Sequence, residues 1–136
     1  MGVKMEFIKI NLNPKGLKTG DCAIRSISFV TQKPYNEVYR KLAEIGIKQS
    51  RTMDDQRVIS EYLNNLGFKR LDAPKKEDDI RYTINEFNEK MLDKDKTYLV
   101  STLGHLTAIQ NQKLYDTFNV SKLPVGNYYW KINGDD

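Results

Sequence analysis

The sequence predicts a single α+β domain over residues 1–136, with helices first and an antiparallel sheet last, and three observations carry that prediction. Between residues 22 and 66, apolar side chains recur at the helical interval, as in Val38, Leu42 and Ile45 or Val58, Tyr62 and Leu66. From residue 96 onward the character changes to short strand-like runs: 97–102, 105–110, 113–116 and 127–132. The one charged, irregular stretch between these halves, 73–79, is too short to separate two cores. Helical runs followed by strand runs are the pattern of an α+β chain.

Residues 1–20 read as an N-terminal arm and loop. Glu6 to Leu12 alternate enough for a short strand, and Asn13-Pro14-Lys15-Gly16 ends it with turn chemistry. Residues 21–92 read as mainly helical. A first helix runs from Cys22 to about Thr31 behind Asp21, a good N-cap residue. Its apolar positions cover most of its surface, which marks it as central. Pro34 suits the start of a second helix that Gly46 stops. Thr52-Met-Asp-Asp resembles a capping box and opens a third helix, ended by Gly67 in the C′ position. Phe68 to Leu71 form a short strand, and Thr83 caps a fourth helix bearing Ile84, Phe87 and Met91. Residues 96–132 are the antiparallel strands.

Composition sets limits on function. The net charge is +4, and its excess is N-terminal: residues 1–50 hold nine Lys and Arg against four Asp and Glu. No compact basic run interleaves with aromatics, so a peptide or protein is the expected partner in preference to nucleic acid. No segment approaches the ~18 apolar residues of a membrane span, and the opening residues lack the apolar core of a signal peptide. One cysteine excludes an intrachain disulfide, which fits a reducing cytoplasm. The expected location is therefore cytoplasmic, with no membrane partner; oligomeric state stays open.

That cysteine is the centre of the functional reading. Lys18-Thr19-Gly20-Asp21 breaks regular structure, so Cys22 falls in the first helical turn, where unpaired N–H groups and the helix dipole favour a thiolate. A lone cysteine is more often a small buried hydrophobe, but such a residue sits in an apolar run, and this one follows four polar or flexible residues. The only histidine, His105, lies 83 residues downstream at the start of a strand pattern. Cysteine and histidine distant in sequence are the arrangement of a nucleophile and a base that meet in the fold.

The hairpin containing His105 fixes a third residue. If Asn111-Gln112 is a two-residue loop, Gln110 faces Lys113, His105 faces Phe118, and Asp116 sits opposite Thr107 as a diagonal neighbour of His105. Asp116 could then orient the imidazole. No metal or cofactor is expected, because one Cys and one His without CxxC or HxxxH do not make a zinc site.

Gly20-Asp-Cys-Ala-Ile-Arg25, then Gly104-His-Leu-Thr-Ala-Ile109, then Leu114-Tyr-Asp116 resemble the small papain-like cysteine peptidases, and most of all the minimal versions encoded by bacteriophages and bacteria. The resemblance spans roughly residues 11–132. It implies a papain-like fold, with the cysteine helix packed on the sheet that carries the histidine. It also implies Cys22 as nucleophile, His105 as general acid/base and Asp116 as orienting group of a peptidase or isopeptidase. In the host of a phage, the location would be the host cytoplasm. Members of that family usually have a glutamine shortly before the cysteine as oxyanion donor. Here position 16 is glycine and no glutamine precedes Cys22, which leaves Asn13, or Asn11, as the amide donor.

The same triad serves isopeptidases, peptidoglycan amidases and acyltransferases, and fold does not choose among them. The loops near 72–79 and 117–126 are the expected grips on substrate. The alternative of a different kind is a non-catalytic papain-like module that binds a host protein or nucleic acid. It draws on the missing glutamine, the basic N-terminal half and the aromatic cluster Tyr128, Tyr129 and Trp130. Arg25, on a buried helix, needs an acidic or carbonyl partner that the sequence does not name.

Overall fold

The computed structural model describes residues 4–131; Ile132, the expected end of the last strand, lies outside the described residues. The chain runs β1 (Glu6–Lys9), α1 (Cys22–Thr31), α2 (Tyr35–Gln49), α3 (Gln56–Asn65), β2 (Phe68–Asp72), α4 (Ile84–Met91), β3 (Thr97–Thr102), β4 (His105–Gln110), β5 (Lys113–Asp116) and β6 (Asn127–Lys131). The fold is α+β, with four helices and one six-stranded sheet among the described residues.

The sheet is mixed rather than a purely antiparallel C-terminal unit. Its order is β1-β5-β4-β3-β6-β2, so strands from the N-terminal half form both edges. β1 pairs parallel to β5, from Glu6↔Lys113 to Lys9↔Asp116, while β2 pairs antiparallel to β6. The expectation of a purely antiparallel sheet built from 96–132 is corrected accordingly: the short strands expected within 6–12 and at 68–71 form, and they join that sheet at its two edges. The physical reason is edge satisfaction: β5 and β6 would otherwise present unpaired N–H and C=O rows, and the nearest extended segments cover them.

The 111–112 turn is as derived. Gln110 pairs with Lys113, Ile109 with Leu114 and Ala108 with Tyr115. Asn111 (φ 53°) and Gln112 (φ 61°) both adopt the left-handed conformation that suits a two-residue hairpin.

Two cores occupy the two faces of the sheet. Leu99, Leu106, Ala108 and Tyr129 pack under Ile24 and Ile27 of α1, Leu42 of α2 and Leu63 of α3. Tyr98, Val100, Ile109 and Leu114 pack on the other face with Ile84 and Phe87 of α4 and with Val120 and Val125. Neighbouring residues of β3 and β4 thus belong to opposite cores, which explains why these strands are apolar runs rather than strict alternations.

Several boundaries move for identifiable reasons. α2 passes through Gly46 and ends at Ser50, which takes the left-handed conformation (φ 57°). Gly46 instead admits the returning chain: a Cβ there would stand 2.8 Å from the Arg51 carbonyl oxygen. α3 starts at Gln56 rather than Thr52, because the Asp55 carboxylate accepts from the Arg57 N–H while the Thr52 hydroxyl turns to Asp54. Thr83 caps α4 as expected and forms a reciprocal box with Glu86. Asp21 does not cap α1, since its carboxylate is engaged elsewhere.

Candidate active site

α1 brings Cys22 to one end of the sheet because its buried face is fixed along its length. Ile27 is fully buried, and the Ser26 hydroxyl donates to the Leu106 carbonyl at 2.8 Å, tying the helix to β4 beside His105. His105 is the first residue of β4 and Asp116 the last of β5, so both stand at the same end. The β4–β5 ladder stops at Ala108↔Tyr115, one pair short of Thr107 and Asp116. By alternation His105 belongs with Ile109, on the face away from α1. The thiol therefore meets the imidazole at the strand end and not across a sheet face.

The three expected residues come together. His105 Nε2 and Asp116 Oδ2 are 2.7 Å apart, with the carboxylate side chain 1% exposed and the imidazole 18%. With Nε2 committed to the carboxylate, Nδ1 is the nitrogen left for Cys22. The Asp116 side chain is further held through Oδ1, which accepts from the Thr117 N–H at 2.7 Å and stands 3.4 Å from Arg25 Nη1. Phe118 covers the imidazole, with ring centroids 5.1 Å apart.

The electrostatics favour the charged pair. Burial by itself would raise the Cys22 thiol, but its hydrogen bond to His105, the Leu106 N–H and the charges of His105 and Arg25 bring it below its ordinary value. Burial works against the imidazolium too, and the bonds to Asp116 and Cys22 outweigh it, lifting His105 from 6.5 to about 9. Asp116 ends below the usual carboxylate range: burial opposes its charge, and the bond and charge of His105 together with the bonds from Thr107 and the Thr117 N–H more than compensate. A lowered thiol facing a raised imidazole defines a pH window in which the pair is thiolate and imidazolium.

Asn13 is not at the thiol. Its amide nitrogen donates to Asp21 Oδ2 at 3.0 Å, and its oxygen accepts from the Lys15 and Leu17 N–H groups. Asn11 is likewise spent on this loop, donating to the Leu17 carbonyl and accepting from the Asn13 N–H. The expectation that either supplies an oxyanion donor is corrected: an asparagine before proline does turn chemistry here. The Cys22 N–H, in the first turn of α1, is a donor without an intrahelical acceptor.

A cleft of about 690 Å³ opens from the thiol. Following the strand order, it passes from Phe118 after β5, by His105 of β4, to Ser101 of β3, Asn127 of β6 and finally Ile59 of α3. Two side-chain amides line it, and the sequence singled out neither. The Asn127 oxygen accepts from the Ser101 hydroxyl at 2.9 Å. The Gln56 oxygen, in the amide orientation that satisfies its neighbours, accepts from Arg70 Nε and Nη2 at 2.9 and 2.6 Å. Each is anchored by its oxygen, which leaves the NH2 end as the donor. No local motif marks either residue, because each reaches the cleft only through the β6 and α3 placements.

The expected grips are corrected as well. Of 117–126 only Thr117 and Phe118 reach the cleft, while Val120, Ser121 and Val125 are buried; residues 72–79 do not line it. The cleft wall comes instead from 17–20. Tyr128, Tyr129 and Trp130 divide between the faces, with Tyr129 buried and its hydroxyl 2.9 Å from Ser60. Among the described residues, no group of three or more His, Cys, Asp or Glu stands close enough to hold a metal ion, and no helix is long and apolar enough to cross a membrane.

No family model, curated protein or solved structure matches this chain.

The His105 shift has a consequence for stability. Folded His105 holds its proton up to about 9 against 6.5 unfolded, so its contribution is complete below about 6.5 and is lost as pH rises through 9. Cys22 runs oppositely: its folded value is lowered from 9.0, so it favours folding above that value and loses the gain as pH falls. Between the two, folded thiolate–imidazolium and unfolded thiol–imidazole bind the same single proton, and stability is flat. Cys22→Ser isolates the histidine. With the thiolate's share removed, His105 is still raised by Asp116 but less than in the wild type, so the thermal midpoint should fall as pH rises above 6.5, by less than the ~3 kcal/mol that the wild-type rise corresponds to, and Cys22→Ser/His105→Ala should lose that dependence.

Proposed function

We propose that this protein is a papain-like cysteine peptidase or isopeptidase, working through an acyl-enzyme on a peptide or protein amide. The observation that carries the reading is His105 held by Asp116 at 2.7 Å while hydrogen-bonded to a thiol at a helix N-terminus. The Cys22 thiolate attacks the carbonyl carbon, and the oxyanion forms against the Cys22 N–H with a cleft amide as second donor. The proton on His105 Nδ1 passes to the leaving amine as the C–N bond breaks and a thioester remains. His105 then takes a proton from water, hydroxide attacks the thioester, and the thiolate leaves with the carboxylic acid formed. Asp116 keeps the imidazole on the productive tautomer throughout.

A substrate-independent test is acylation by p-nitrophenyl acetate. The reading predicts a nitrophenolate burst of one equivalent per chain, with the acetyl group on Cys22 by peptide mapping, and peptide fragments from a mixed peptide library. No burst and no cleavage, with the fold intact, would leave the non-catalytic binding module as the better account.

A further inference from the structure

Arg25 is 8% exposed on the first helix, one turn after Cys22, and it binds two carboxylates at once. Its Nε stands 2.7 Å from Asp21 Oδ1 and its Nη1 3.4 Å from Asp116 Oδ1. Burying a guanidinium with two carboxylates is a poor way to gain stability, since an apolar side chain of that volume commonly does as well. What a guanidinium does that an apolar side chain cannot is fix two oxygen acceptors through one rigid fork.

The two oxygens of Asp116 have divided duties. Oδ1 is taken by Arg25 and the Thr117 N–H, so the carboxylate plane is fixed and Oδ2 is left pointing at His105. Arg25 is itself anchored. The other oxygen of Asp21 accepts from the Tyr35 hydroxyl at 2.7 Å and from Asn13 at 3.0 Å. Asn13 in turn organises the backbone of 15–17, which leads into the cleft wall. A continuous polar chain thus runs from the loop before Cys22, through Asp21 and Arg25, to Asp116, His105 and the thiol.

We propose that Arg25 is a positioning residue for this site, holding Asp116 in the rotation that serves His105 and coupling the 13–21 loop to the triad through Asp21 and Tyr35. The proposal rests on the catalytic reading of Cys22, His105 and Asp116. It accounts for three features at once: a buried arginine, an Asp21 that forgoes capping its own helix, and an asparagine that turns away from the thiol.

The test is the pH profile of Cys22 alkylation by iodoacetamide in wild type, Arg25→Lys, Arg25→Gln and Tyr35→Phe, with folding followed by circular dichroism. A lysine keeps the charge but cannot span both carboxylates. Arg25→Lys and Arg25→Gln should therefore both move the inflection up by about one pH unit, slowing alkylation at pH 6 about tenfold. Tyr35→Phe, at a half-buried position that tolerates the change, should slow it about two- to threefold. If the Arg25 variants do not fold, Tyr35→Phe decides. The proposal is overturned if the wild-type thiol is activated and every variant that folds, Tyr35→Phe among them, reproduces its profile. A wild-type thiol that titrates as a free cysteine would instead overturn the catalytic reading beneath it.

Discussion

Asp116→Asn should slow alkylation of Cys22 at pH 6 by about 10²-fold. The native carboxylate accepts from His105 Nε2, leaving Nδ1 toward the thiol. An asparagine amide can donate to Nε2, which moves the imidazole proton to Nδ1 in the neutral ring. His105 then has no lone pair for the thiol proton, and its imidazolium loses the neighbouring anion that lifts it to about 9. With the charged pair gone, an ordinary thiol near ~8.5 is less than about 1% ionised at pH 6. The acylation burst should fall at least as far. An Asp116→Asn protein that folds and reacts at the wild-type rate would show that the carboxylate has no part in activating the thiol.

Phe87→Ala should produce the largest loss of stability, about 3–5 kcal/mol by urea unfolding. Phe87 is fully buried and meets Tyr128 edge-on, with centroids 5.0 Å apart, in the core beneath α4. A loss of that size is a large share of the 5–15 kcal/mol that holds a typical domain together. The two cores lie on opposite faces of the sheet, however, and α1 is seated by the other one. The folded fraction of the variant should therefore keep the wild-type Cys22 inflection. A shifted inflection in folded Phe87→Ala would mean that the site depends on the α4 side as much as on the α1 side.

Local chemistry made much of this legible in the sequence. The hairpin register followed from the length of one turn, and that register placed Asp116 beside His105, where the structure has it. Thr83 and Gly67 did at their helix ends what their residue types favour. Long-range placement was not legible. Nothing in Glu6–Lys9 says that it pairs parallel to β5, because a four-residue strand fits either edge of a sheet equally well in sequence. Asp21 has the composition of an N-cap, and only the presence of Arg25 and Tyr35 in space shows why its carboxylate is used otherwise. Arg25 was visible as a charge in need of a partner; that it has two, one of them the acid of the site, depends on a contact across 91 residues. Gln56 and Asn127 had no signal at all, since neither lies near a triad residue along the chain.

The most direct test of the central claim is the rate of Cys22 alkylation by iodoacetamide from pH 4 to 10, in wild type and in His105→Ala. One cysteine makes the labelling unambiguous. The account predicts a wild-type inflection well below the ~8.5 of a free thiol and a return toward that value in the variant. A wild-type thiol that titrates as a free cysteine, or one indifferent to His105, would contradict it.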